Sequence, residues 1–297
     1  MLQAFGAYLL WGIFPLYFPL LEPASPLEIL AHRFVWTLVF MAMALLFLRS
    51  WPQLRAASAR TWGLTTLAAF FIAINWGVYV YLINNNQVAE AALGYFINPL
   101  VSVVLAMIFF REKLTPLQLG SVALAVVAVI VLTIGVGYPP VLGLALALSF
   151  GFYGLIKKKV QLSSAASLTA ESLVILPIAV GYLLWLARQG ESTFTSYGWT
   201  HTLLLMSAGI ATAVPLLLFG AGAKKLPLAT IGLMQYLTPV IQMTLAVTLL
   251  GEELSPERWI GYFIIWVSVA LFILDLVRKL AQHRRRSHRM VGSARRG

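Results

Sequence analysis

The chain contains no cysteine, only one aspartate, Asp275, and four histidines. The first absence excludes disulfides and thiolate metal sites, and leaves cysteine use silent on compartment. The scarcity of Asp and His argues against the metal or nucleophile clusters that membrane-embedded enzymes gather. No P-loop and no G-x-S-x-G motif occurs either, and nothing in the sequence calls for a cofactor. No lysine or arginine precedes Arg33. The opening MLQAFGAYLLWGIFPLYF therefore lacks the basic start of a signal peptide and reads as a retained first membrane span. Charge is scarce throughout. Only 10% of the 297 residues are charged and 60% are hydrophobic, against roughly 25% charged in soluble domains.

What is present is a succession of apolar runs. Stretches of about 18 such residues read as membrane helices. About ten follow one another, over residues 3–20, 26–48, 61–83, 89–110, 116–134, 140–156, 164–187, 199–221, 226–250 and 258–277. Their connections are short and leave no room for a soluble domain. The expected fold class is an all-α polytopic membrane protein of about ten transmembrane helices.

The net charge of +11 could point to nucleic acid, but its placement points to topology. With a cytoplasmic N-terminus, Arg49, Arg55, Arg60, Arg111, Lys113, Lys157–Lys159, Lys224 and Lys225 all fall in cytoplasmic loops. The tail, 278–297, carries the remaining basic residues except Arg33, Arg188 and Arg258. This is the positive-inside pattern, and it expects both termini in the cytoplasm. The tail reads as a disordered topology anchor able to meet anionic lipid head groups. No nucleic-acid partner is expected.

The chain also repeats itself. GYFINPLVSVVLAMIFFREKLTP, from Gly94, returns 140 residues later as MQYLTPVIQMTLAVTLLGEELSP, from Met234. Pro99 meets Pro239, Glu112 meets Glu252 and Pro116 meets Pro256 at that offset. Two five-helix halves are expected, 1–138 and 139–277. Five is odd, so the second half enters the membrane from the opposite face and the repeats are inverted. That architecture suits alternating access around a site between the halves, and makes a transporter of small solutes the first expectation.

AYLLWGIFPLYF (from Ala7), EILAHRFVWT (from Glu28), LGYFINPLVSVVLAMIF (from Leu93), LALSFGFYGLIKKK (from Leu146) and GIATAVPLLLFGAGAKKL (from Gly209) together resemble the RarD proteins. Those are EamA-type members of the drug/metabolite transporter superfamily, and the resemblance runs from end to end. It implies ten helices in two inverted repeats, a bacterial inner membrane, and permeation or export of small organic solutes such as amino acids, metabolites or amphipathic drugs. The family name is linked to chloramphenicol sensitivity. One departure stands out: the family has Gly before the Glu that ends the fourth helix, where this chain has Arg111, while Gly251-Glu252 is kept in the second half.

An ionisable group in the bilayer costs roughly 2.5–3.5 kcal/mol on insertion scales and is a functional candidate by default. His32 and Arg33 on the second span and Glu171 on the seventh qualify. Glu171 is the candidate for proton coupling, because an antiporter needs a group whose charge changes during its cycle. Depth sets Arg33 and Glu171 as two stations on one pathway; the plainer readings are snorkelling or a structural clamp with Glu28 for Arg33, and packing hydrogen bonds to neighbouring helices for Glu171. The pathway walls are expected from Asn75, Trp76 and Tyr79 in NWGVY, Tyr95 and Asn98 in YFINP, and Gln235, Tyr236 and Gln242 in the second copy. Pro99 and Pro239 are expected to kink their helices in mid-segment and free carbonyls. The plainer alternatives are interhelical glue for Asn and Gln and interface belts for the aromatics, to which Trp11, Trp51, Trp62 and Trp199 are assigned. GAYLLWG and GLALALSFG read as close-packing faces. A membrane-embedded enzyme and a channel-like facilitator are the rival readings.

Overall fold

The computed structural model describes residues 2–111, 113–223 and 234–294. Glu112, Lys224, Lys225 and the last three residues, which enter the repeat and topology readings above, lie outside them. The described chain is helical: α1 (Leu2–Gly12), a short α2 (Phe14–Tyr17) running into a 3-10 turn (Phe18–Leu21), α3 (Pro26–Phe47), α4 (Trp51–Arg55), α5 (Ala59–Asn84), α6 (Val88–Phe110), α7 (Pro116–Val136), α8 (Val141–Lys157), α9 (Ser164–Arg188), α10 (Gly198–Ala223), α11 (Leu237–Thr248) and α12 (Pro256–Ala294).

Seven of these, α3, α5, α6, α7, α9, α10 and α12, are long and apolar enough to cross a membrane. The first apolar stretch is not one straight span. It bends by 46° between α1 and the α2 segment, where Pro15 and Pro19 each remove an amide from the helical ladder. Helices α8 and α11, of 17 and 12 residues, are shorter apolar elements. The outer surface is apolar, with Phe47 and Ile134 at 87% and 78% exposure, as a lipid-facing surface requires.

Helix starts follow local chemistry. The hydroxyls of Ser25, Ser58 and Ser163 accept an amide three residues on, and Thr115 with Gln118 forms a full capping box. Pro26 and Pro116 stand at first helical positions, where no amide is needed. Glu252, in the connection after α11, caps a different helix. Its two carboxylate oxygens accept the amides of Val88 and Ala89, at 2.5 and 2.9 Å, at the start of α6, where the helix dipole favours negative charge.

The turn carrying the Arg111 departure is conserved in shape. Arg111 closes α6 in the left-handed region at φ 55°, and Gly251 after α11 has φ 65°. The first half therefore keeps the turn with a residue that pays the Cβ penalty glycine escapes.

The two halves pack into each other more than side by side. Helix α3 packs on α9 and α10, α5 on α8 and α9, α6 on α8 and α11, α1 on α10 and α11, and α7 on α12. These principal pairings are unchanged when α1 is exchanged with α8, α3 with α9, α5 with α10, α6 with α11 and α7 with α12. Thus α1 with α10 mirrors α5 with α8, and α3 with α10 mirrors α5 with α9. A lesser contact joins α6 to α12. Small residues let the backbones approach. A Cβ on Gly94 of α6 would lie 2.6 Å from the Gly143 carbonyl oxygen of α8, and one on Gly209 of α10 would lie 2.4 Å from the Trp36 carbonyl carbon of α3. In GLALALSFG, Gly143 and Gly151 both face α6, as close packing requires.

Candidate functional site

Arg33 sits at the meeting of α3, α5, α10 and the bent first segment. It is 4% exposed. Its Nε donates to Thr212 Oγ1 on α10 at 2.7 Å, while Nη1 has no partner. The guanidinium lies 4.0 Å over the Trp76 ring and 5.4 and 5.9 Å from the rings of Phe18 and Phe14. Stacking of this kind supports a desolvated cation by about 2 kcal/mol. The bend brings Phe14 and Phe18 inward, and Gly209 lets α10 approach α3 closely enough for Thr212 to reach.

A second polar knot adjoins the first through Tyr79. Gln242 Nε2 on α11 donates to the Trp11 carbonyl at 3.1 Å and to Tyr79 Oη at 2.8 Å. Gln242 Oε1 is left without a donor. Thr238 of α11 donates to the Tyr8 carbonyl at 2.9 Å, tying the same two helices again. Tyr79 packs against Phe18 and Tyr95. Asn98 Oδ1 on α6 and Tyr236 Oη before α11 are buried and unpaired, and Gln235 beside them is half-buried. The structure thus brings Arg33, Trp76, Tyr79, Tyr95 and Gln242 into one centre built by both halves.

Other candidates go elsewhere. Asn75 donates to Leu146 O and Ser149 Oγ, at 3.0 and 3.2 Å, and so ties α5 to α8. His32 stacks on Phe194 with centroids 4.6 Å apart, its ring nitrogens unpaired. It lies toward a separate chain in which His201 meets Thr193, and Thr193 donates through its amide and hydroxyl to Glu28 at 2.8 and 3.0 Å. Glu28 therefore clamps the connection before α10 and not Arg33. Glu171, fully buried, accepts from Lys157 at 2.5 Å, Ser167 at 2.8 Å and Tyr153 at 3.1 Å. Pro99 lies inside α6, whereas Pro239 falls in the first turn of α11, where a missing amide breaks no bond. Met234 is helical, Gln235 and Tyr236 form a turn and α11 begins at Leu237, so the helical path is interrupted just ahead of Pro239.

Sequence reasoning missed Thr212, Phe14, Phe18, and Lys157 as the partner of Glu171. Trp11, assigned to an interface belt, packs on Tyr8 and Phe219, and its carbonyl belongs to the centre. The signal was there: Pro15 stands four residues after Trp11, so that carbonyl has no helical partner. A recess lined by Glu90, Tyr138, Arg258 and Tyr262 is built from residues that take no part in the Arg33 centre.

Seven helices long and apolar enough to span, an apolar exterior and a buried polar centre define a multi-pass helical membrane protein. The profile of the EamA-like transporter family matches residues 1–134 and again 139–274, and the chain belongs to that family. It is 47% identical over 288 residues to Protein RarD of Streptomyces exfoliatus, covering 96% of this chain and 91% of that one. It is 43% identical to the uncharacterized transporter YojE of Bacillus subtilis, covering 92% of each. To Protein RarD of Escherichia coli K12 it is 38% identical, covering 93% of this chain and 94% of that one. A solved crystal structure superimposes with a TM-score of 0.62 at 18% identity, covering 92% of this chain and 96% of that chain, a likeness of fold alone.

Proposed function

We propose that the chain is a secondary transporter that moves small organic solutes across the bacterial inner membrane by alternating access. Its halves, 1–138 and 139–277, act as inverted five-helix repeats with both termini in the cytoplasm, and the basic tail meets anionic lipid. The observation that carries this reading is the Arg33 centre, whose groups come from both halves: Arg33, Trp76 and Tyr79 from the first, Thr212 and Gln242 from the second. A centre shared in this way can open to one side or the other as the halves rock, while the exchange-symmetric pairings give the two openings similar interfaces. Glu171 is the carboxylate on which a proton gradient would act, by releasing and retaking Lys157.

The test is solute flux in proteoliposomes with an imposed pH gradient, offering amino acids and amphipathic drugs to the wild type and to Glu171→Gln. Flux that loses its pH dependence in the variant establishes proton coupling through Glu171. PH-driven flux left intact removes Glu171 from coupling, and no flux of any compound removes the transport reading.

A further inference from the structure

The carboxylates inside the described fold all have partners of their own. Glu28 holds Thr193, Glu90 the amide of Gly143, Glu171 Lys157, Glu252 the start of α6 and Asp275 Thr115. Arg33 meets none of them. It is a buried cation with one side-chain hydrogen bond, an unpaired Nη1 and aromatic rings around it. Guanidinium is a planar fork of five N–H donors, matched in shape to a carboxylate, and a charge taken out of water without an opposite charge is unfavourable.

We propose that Arg33 is the anchor for the solute, and that the solute is a small organic monocarboxylate with an apolar or aromatic body. This deepens the transporter reading and rests on it. The carboxylate pairs with the free edge of the guanidinium, whose Nε edge is held by Thr212 and whose face is covered by Trp76. The body lies among Phe14, Phe18 and Trp76. A single cation matches a single negative charge, and so favours a carboxylate over a doubly charged phosphate. Lys157, the other cation drawn into a described buried cluster, is neutralised by Glu171. Gln242, whose Nε2 bonds Tyr79, supplies an acceptor for a donor on the solute through its orphan oxygen. The Gln242 amide orientation is fixed, because its nitrogen faces the Trp11 carbonyl, which needs a donor.

The experiment uses the full chain in nanodiscs and measures binding of 3-phenylpropionate and of its neutral amide, with Arg33→Lys and Arg33→Gln alongside. The acid should bind, and the amide should bind roughly ten- to a hundredfold more weakly. Arg33→Lys should weaken the acid by about tenfold while leaving the amide unchanged. The acid–amide comparison needs no variant, so it decides even if Arg33→Gln does not fold. Equal binding of acid and amide, or no binding of the acid, overturns the proposal. Acid binding without flux in proteoliposomes keeps the carboxylate site and removes the transport reading. Flux of the amide, independent of Arg33, does the reverse.

Discussion

The carbonyl oxygen of Trp11 accepts a hydrogen bond from Gln242 across the boundary between the halves, at 3.1 Å. Pro15, four residues on, has no amide to offer that carbonyl. The second half therefore supplies the donor that the first helix lacks.

Gln242→Leu should then leave the Trp11 carbonyl and the Tyr79 hydroxyl without their donor, and lower stability by about 1–3 kcal/mol. Adding Pro15→Ala supplies an amide four residues on from Trp11, able to compete for its carbonyl. Thermal unfolding in detergent should show the double variant recovering part of the loss; a double variant weaker than both singles would refute the link.

At the end of α6 the expected change is a gain. Arg111→Gly relieves a non-glycine residue held at φ 55° and should raise stability by about 1 kcal/mol. Gly251→Ala, at φ 65°, should lower it by a similar amount. Melting temperatures of the two variants should move in opposite directions.

The Lys157–Glu171 pair should behave asymmetrically. Lys157→Met leaves a fully buried carboxylate without its cation and should cost about 3 kcal/mol. Glu171→Gln keeps hydrogen bonding to Ser167 and Tyr153 and should cost less. In a double-mutant cycle, the Lys157→Met and Glu171→Gln pair should be more stable than Lys157→Met alone; additive losses would show that the two side chains do not act as a unit.

Gly94→Ala forces a Cβ against the Gly143 carbonyl. Overpacking at such a contact typically costs 1–3 kcal/mol. Gly63→Ala, at a position with open space around it, serves as the control and should be near neutral in the same unfolding assay.

Much of this architecture was legible in residues. The apolar runs are local, and composition places them well. The weight given to Arg33 followed from the rarity of charge in the bilayer, a property of the sequence itself. What the sequence left out depends on the bend at Pro15 and on helix rotation. Phe14 and Phe18 look like any aromatics of a membrane span until the bend turns them toward Arg33. Thr212 looks like ordinary helix glue until Gly209 brings α10 against α3. Lys157 was assigned to a loop by charge counting, but it is the last residue of α8, and its long side chain reaches back to Glu171. Asn75 and Tyr79 share a helix face in sequence, yet Asn75 bonds to α8 and Tyr79 to α11.

In the transport cycle proposed above, the hold of Glu252 on the first turn of α6 would serve as a fulcrum. A carboxylate just beyond α11 that clasps two amides of α6 ties these helices together, so the proposed rocking would be taken up at other seams, such as α3 against α9. The native chain has no cysteine, and paired cysteines can be introduced against a clean background. A cross-link between α6 and α11 should leave flux intact, while one between α3 and α9 should arrest it. The opposite result would move the pivot to α3 and α9.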